Sequence, residues 1–398
     1  MSEQPGDAAV RRELRRLEVV PGPRGVATVL DALPDALAGD GPALGIAATG
    51  DDDYAVRSRA AVSDPDGHGV DPEIAVVMST SGSTGRPRGV LLPASALLAS
   101  AHAALERLGG PGAWTLALPV TGVGGLQVLL RALVSGVEPL VLSTVGGAGS
   151  FDPAEFARLT WRLDPSLPAY TSIVPTQAAR LLDDADGLAA LRAYEGVLLG
   201  GARTPTALLD RLLAEHVAAI PTYGMTETSG GMVYDGRPLG HVGVTIRDAD
   251  ADGVGRIVLT GATLARGYLG DDVLTRERFV DGAHVTSDIG RVTDGVLEVL
   301  GRVDDVVQVG GTNVAVTAVE DVLLRHCSDA CVLAEPDGSW GSRLTAYVVD
   351  ARDGEHALAA DIARSLGRAA VPRRWVHVPA IPHLPNGKPD RAALRATI

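Results

Sequence analysis

The sequence predicts an α/β protein: a large N-terminal domain built on a parallel βαβ sheet, carrying a β subdomain, with a small α+β domain after it. Three observations predict it. From about residue 74 to 223, short apolar runs alternate with segments of helical period. From about 240 to 301, brief turn-punctuated strands follow one another with little helix between them. After "GRVDD" (301–305) a smaller unit mixes both.

The apolar runs of the first region are "IAVVM" (74–78), "WTLALPV" (114–120), "EPLVL" (138–142), "AYTSIV" (169–174), "GVLLGG" (196–201) and "AAIPTYG" (218–224). Between them "SALLASAHAALERL", "AEFARLTWRL" and "PTALLDRLLAEH" repeat apolar residues at helical spacing. Strand–helix–strand repetition implies a parallel sheet with helices on both faces. Ligands of such sheets bind in the loops outside the carboxyl ends of the strands. "HVGVTIRDAD", "GRIVLT", "HVTSDIG" and "VLEVLGR" are the strands expected of the β subdomain. The smaller unit reads as strand 306–309, helix 316–325, strands near 330–334 and 343–349, and helix 356–367. These place an N-terminal domain at 1–302, a connection at 303–305 and a C-terminal domain at 306–398.

Bulk properties exclude several classes. A net charge of −14 argues against a nucleic-acid groove. The first twenty residues carry charges throughout and lack the apolar core of a signal peptide. The apolar stretch "GVGGLQVLLRALVSGVEPLVL" is broken by Gln127, Arg131 and Glu138, so it reads as buried helix and strand, with no membrane insertion. Cys327 and Cys331 lack partners at metal-ligand spacing and are expected as reduced, packed thiols in a cytoplasmic protein.

The stretch richest in chemistry is "STSGSTGRPRGV", Ser79 to Val90. Gly82, Gly85 and Gly89 allow tight turns and close approach of backbone to a ligand. Ser79, Thr80, Ser81, Ser83 and Thr84 supply hydroxyls, and Arg86 and Arg88 supply charge. Following an apolar strand and preceding the helix expected near Pro93, this inventory reads as a polyphosphate cradle. It has no Walker A spacing.

This loop resembles the phosphate loop of the adenylate-forming superfamily, which holds acyl- and aryl-CoA ligases, peptide-synthetase adenylation domains and luciferases. "YGMTET" (223–228), "GRIVLTGATLARGYLG" (255–270), "TSDIG" (286–290), "GRVDD" and "LPNGKPDR" (384–391) follow in that family's order. Within the superfamily, "LALPVTGVGGLQVLLRALVSGVEPLVL", "AYTSIVPTQAARLL" and "YGMTETSGGMVYDGRPLG" look most like the actinobacterial o-succinylbenzoate–CoA ligases of menaquinone biosynthesis. The segment before the phosphate loop is shorter than in most relatives, so part of the usual N-terminal subdomain is expected to be missing.

The resemblance implies a small mobile α+β C-terminal domain and a two-step reaction. A carboxylate attacks the α-phosphate of ATP, and CoA then displaces AMP from the acyl-adenylate. It implies ATP, Mg²⁺ and CoA, an aromatic dicarboxylate as the small-molecule partner, and it allows a homodimer. The loop from Ser79 to Arg88 would hold phosphates, Glu227 the Mg²⁺, and Thr226 a phosphate oxygen. Tyr223 would stack on adenine beside Gly200 and Gly201, Asp288 would accept the ribose hydroxyls, and Arg302 would support the ribose. Arg131, set among leucines, would meet the second carboxylate of the substrate; pairing with Glu138 is the alternative. Ser172 and Thr176 would line the same pocket. Asp304 matches the hinge residue, and Gly310 and Gly311 match the segment that lines the thiol tunnel.

Lys388 is the only lysine among 35 basic residues. In the family the matching lysine touches the reacting carboxylate and phosphate. A thin stem with a compact ammonium suits that crowded centre, whereas the planar fork of Arg does not. Two departures stand out: Thr121 and Gly122 occupy a loop where relatives often carry His, and Gln308 stands where many carry Lys. Another acyl- or aryl-CoA ligase, a stand-alone adenylation enzyme loading a carrier protein, and a nucleotide-binding pseudoenzyme remain as alternatives.

Overall fold

The structure, a computed structural model, describes residues 11–51, 53–80, 87–147, 150–240, 242–338, 341–383 and 389–396, without the side chains of 53, 54, 304 and 392. The chain opens with β1 (Leu14–Val19), α1 (Pro23–Ala38), β2 (Ala43–Ala48), α2 (Asp53–Ala61), β3 (Ile74–Thr80), β4 (Arg88–Pro93) and α3 (Ala94–Leu108). It continues through β5 (Ala113–Leu116), α4 (Val123–Ser135), β6 (Leu140–Val141), α5 (Pro153–Thr160), β7 (Ala169–Ile173), α6 (Pro175–Leu182) and α7 (Ala185–Leu191). Then come β8 (Gly196–Leu199), α8 (Thr206–Ala214), β9 (Ala219–Met225), β10 (Gly230–Tyr234) and β11 (Arg237–Pro238).

The β subdomain holds β12 (Gly243–Arg247), β13 (Gly255–Thr260), β14 (Gly267–Tyr268), α9 (Asp272–Arg278), β15 (Phe279–Val280), β16 (Ala283–Thr293) and β17 (Val296–Arg302). The last part comprises β18 (Val306–Val309), β19 (Thr312–Ala315), α10 (Val316–Leu323), β20 (Asp329–Asp337), β21 (Gly341–Val349), α11 (Glu355–Leu366), β22 (Arg374–His377) and α12 (Arg391–Arg395).

Two sheets, rather than the single sheet expected for 74–223, share the parallel strands. One has the order β1-β2-β3-β4-β14 and the other β11-β10-β9-β8-β7-β5-β6. In the first, β1, β2 and β3 run parallel and β4 turns back antiparallel to β3. In the second, β6, β5, β7, β8 and β9 are all parallel. Helices α3 and α4 pack on each other, α3 also on β3 and β4 of the first sheet and α4 on β5 and β7 of the second, so the pair forms the layer between the sheets. That position explains the sequence of α4: Gly125 to Ala132 are buried all round, as a helix between two sheets requires. Gly125 is needed where α4 crosses the exit of β5, because a Cβ there would lie 2.2 Å from the carbonyl oxygen of Pro119.

The main core runs through both sheets and the helices between them. A separate core in the last part joins Val309, Val319, Leu323, Val332, Leu344, Val348, Leu358 and Ile362. The large-plus-small α/β architecture expected from the sequence is therefore present. Cys327 and Cys331 are both free and buried, matching the expected packed thiols. No helix among the described residues is long and apolar enough to cross a membrane.

Candidate active site

Strands β5, β7, β8 and β9 lie side by side and parallel, so the segments after their carboxyl ends share one rim. Thr121 and Gly122 follow β5, and Ser172 lies buried near the end of β7. Thr176 is exposed in the first turn of α6. Gly200 and Gly201 follow β8, and Tyr223 lies near the end of β9. A Cβ on Gly200 would approach the Thr222 hydroxyl to 2.9 Å, so glycine keeps this edge of the rim open. Ser172, Gly200, Gly201 and Tyr223 thus lie at the ends of neighbouring strands, whereas Thr176 is exposed on α6 and Arg131 lies within α4.

Asp288 on β16 is the centre of the next group, 7% exposed. The Tyr223 hydroxyl donates to its Oδ2 at 2.7 Å, and Arg302 Nη1 donates to its Oδ1 at 3.2 Å. Strand register places Arg302 directly opposite Asp288 across β16 and β17. The Thr286 hydroxyl accepts the Asp288 backbone N–H at 3.0 Å, fixing the turn of the chain. Burial, then the neighbouring Asp288 charge, push the Tyr223 phenol well above its ordinary pKa, so it stays a proton donor. One protein donor on each oxygen sets the plane of the carboxylate and leaves further lone pairs for hydroxyl donors.

Glu227 stands in the 3-10 turn Thr226–Thr228 between β9 and β10, with Thr226 beside it. The Tyr268 hydroxyl donates to Glu227 Oε1 at 3.0 Å. Among the described residues no three His, Cys, Asp or Glu groups converge as a metal cage. A hard cation that takes one carboxylate and draws its other ligands from phosphate and water, as Mg²⁺ does, fits this donor set.

The phosphate loop has a different setting from the one expected. β3 pairs antiparallel with β4, Ser79 opposite Gly89 and Thr80 opposite Arg88, so the loop joins two strands. α3 begins only after β4, at Ala94, and no helix N-terminus stands directly after the loop. Any anion binding rests on loop backbone, hydroxyls and Arg rather than on a helix dipole. Ser79 is buried, and its hydroxyl has no partner among the described residues. The Arg88 guanidinium lies 6.0 Å above the Tyr268 ring. Ser81, Gly82, Ser83, Thr84, Gly85 and Arg86 lie outside the described residues.

Arg131 does not join the Asp288 and Glu227 groups. It is buried in the helical layer, 3% exposed, one turn beyond Gln127. Gln127 itself donates to the carbonyl of Ser229 at 2.7 Å, just after the Glu227 turn. The Arg131 guanidinium stacks 5.1 Å from the Trp114 ring, and Nη2 donates to the Tyr234 hydroxyl at 3.3 Å. Its Nε and Nη1 have no partner among the described residues, and Glu138 is exposed. The Glu138 alternative is not realised.

Lys388 and the Asp304 side chain lie outside the described residues. Gly310 and Gly311 form the exposed tip of the β18–β19 hairpin, with no neighbour within 4 Å of a Cβ built on Gly311. Two residues were missed in the sequence. They are Tyr268, inside "GRIVLTGATLARGYLG", and His284, just before "TSDIG". His284 is buried, near enough to Glu227 and Asp288 to feel both charges, yet burial outweighs them and holds its pKa below the ordinary value. Nothing in the spacing signals either contact, because each joins distant elements of the chain.

The sequence profile of the AMP-binding enzymes matches residues 20–269, and that of the AMP-binding enzyme C-terminal domain matches residues 318–388. A probable 2-succinylbenzoate–CoA ligase of Mycobacterium tuberculosis is 39% identical over 386 residues, which is 94% of this chain and 96% of the relative. Among solved structures, the O-succinylbenzoate coenzyme A synthetase of Bacillus subtilis in complex with AMP superposes with TM-score 0.70 at 25% identity, covering 81% of this chain and 69% of that one. An amide bond synthetase of Marinactinospora thermotolerans superposes with TM-score 0.74 at 25% identity, covering 96% and 80%.

Proposed function

Since the chain belongs to the AMP-binding enzyme family, we propose that it is an o-succinylbenzoate–CoA ligase that forms an acyl-adenylate from ATP and passes the acyl group to CoA. The observation that carries this is the rim itself. Tyr223, Asp288 and Arg302 form a hydrogen-bonded ribose-side group, and Glu227 sits one short turn after β9 facing the phosphate hairpin.

On this reading the residues take the roles that the family resemblance implies. Gly200, Gly201 and Tyr223 border adenine, and Asp288 accepts the ribose hydroxyls. Ser79, Thr80, the loop 81–86 and Arg88 hold the phosphates with Thr226. Glu227 holds Mg²⁺, which when bound neutralises phosphate charge as it develops. Lys388 meets the carboxylate and the α-phosphate while the first bond forms, and pyrophosphate leaves. The thiol of CoA then attacks the acyl carbon and AMP departs. The protein supplies position and electrostatics rather than covalent chemistry.

Arg131 serves the second carboxylate of the substrate. A buried guanidinium with two unpartnered nitrogens is costly unless an anion reaches it. The second carboxylate of a dicarboxylate brings one, with Ser172 and Thr176 assigned to the same acyl pocket. We place domain limits at 1–302 and 306–398, with 303–305 as the hinge. The C-terminal domain then swings about Asp304 to bring Gly310 and Gly311 to the thiol route.

The test is incubation with ATP, Mg²⁺ and o-succinylbenzoate beside a panel of benzoates and fatty acids, with CoA or simple amines as acceptor, read by mass spectrometry. Selective o-succinylbenzoyl-CoA and AMP are expected. An amide product would move this chain's function toward that of the amide bond synthetase. AMP without thioester or amide would point to a carrier protein.

A further inference from the structure

Glu227 is held at two points by one short segment of chain. Its backbone carbonyl accepts the Ala265 N–H at 2.8 Å, and its Oε1 accepts the Tyr268 hydroxyl at 3.0 Å. Tyr268 is itself fixed in every direction. Its backbone N–H donates to the Thr275 hydroxyl at 2.9 Å, and its ring meets Phe279 edge-on with centroids 5.8 Å apart. On its other side Tyr268 pairs with Val90 of β4, and Leu269 N–H donates to Gly89 at 2.8 Å. That strand continues from the phosphate loop, and its first residue, Arg88, lies over the Tyr268 ring.

We propose that Tyr268 is a positioning residue that aims the Glu227 carboxylate at the metal–phosphate complex and ties it to the strand leaving the phosphate loop. This rests on the ligase reading above and adds a residue to it. A glutamate in a short turn is free to rotate about its side-chain bonds; a phenol donating to one oxygen stops that rotation and leaves the other oxygen for a cation. Because Tyr268 belongs to the first sheet and Glu227 follows a strand of the second, the bond also fixes the separation of two elements that must grip one triphosphate.

Tyr268→Phe tests it, since the ring, its packing on Phe279 and its contact with Arg88 are all kept. ATP binding to the full chain is measured by calorimetry with Mg²⁺ and with EDTA, beside the melting temperature. The expected result is an unchanged affinity in EDTA and a loss of about tenfold in the gain that Mg²⁺ brings. In turnover, half-saturation by Mg²⁺ rises by a similar factor while kcat at saturating Mg²⁺ holds. In a Glu227→Gln background the same change has no further effect. Equal weakening with and without Mg²⁺, or a Mg²⁺ gain that the variant keeps, overturns the role of Tyr268 alone. A wild-type protein that gains nothing from Mg²⁺ overturns the metal role of Glu227 and this proposal with it.

Discussion

Arg131 and Lys388 are the two residues on which charge and shape make the sharpest demands. Methionine fills much of the volume of Arg131 without its charge, so Arg131→Met should leave the fold intact. The same change should raise KM for the dicarboxylate at least about tenfold, as expected on losing a charged hydrogen-bonding partner. Steady-state kinetics against a matched monocarboxylate checks it; an unchanged KM returns Arg131 to the core as a partner of Trp114 and Tyr234. Lys388→Arg keeps the charge and changes its shape. Adenylation, followed by pyrophosphate release, should fall by at least about a hundredfold. Thioester formation from supplied acyl-adenylate should persist, and loss of both half-reactions would show a structural rather than a chemical role. Its solitude and its motif single out Lys388 as a candidate in the sequence, whereas nothing there singles out Tyr268 and His284, because their partners are set by packing between segments far apart in the chain.

Among the elements, the segment after α10 is held to α11 and to the loop before it by a pH-sensitive clamp. His326 presents Nδ1 to Asp353 at 2.7 Å and Nε2 to Asp361 at 3.0 Å. A neutral imidazole has a single N–H and cannot donate to both, so the pair of bonds requires the imidazolium. The bond to Asp361, then that to Asp353, raises the His326 pKa above its ordinary 6.5 in the folded chain. Its stabilisation is therefore complete below pH 6.5 and is lost as pH rises through the raised folded value. Hydrogen-exchange protection of α11, corrected for intrinsic rates, should drop about two- to fivefold from pH 6 to 9, and His326→Gln should flatten the profile. The opposite slope would mean that neither carboxylate holds the ring. The strand β4 shows why one element escaped the sequence. "RGVLLP" is short, begins within a Gly-rich loop and ends in Pro93, and only pairing with β3 and β14 makes it a strand.

On the scale of the whole molecule, a charged contact joins the two parts of the chain. Arg203, just beyond the Gly200–Gly201 rim, pairs with Asp321 of α10 at 2.5 Å. Burial raises the Asp321 pKa, and Arg203 opposes that rise. The β18–β19 hairpin tip is exposed in this arrangement, and we propose that the ion pair belongs to the adenylating state. Arg203→Glu or Asp321→Arg should therefore slow adenylation about two- to fivefold and spare thioester formation, and the double exchange should restore the rate. Rapid-quench measurement of each half-reaction decides it. Failure of the double exchange to rescue would show that the pair does not set the domain arrangement.

The sequence by itself determined the chemistry and the class of fold. Its motifs stand in one order along the chain, and the periods of its apolar residues reflect strands and helices that form largely from local preference and burial. Only the tertiary structure decided that the strands divide between two sheets, that the phosphate loop turns back into a strand, and that Tyr268 and Glu227 meet. The physical reason is common to all three. Which strand edge pairs with which, and which buried hydroxyl finds which carboxylate, depends on backbone hydrogen bonds and packing between segments far apart in sequence, and no local pattern of residues encodes those partners.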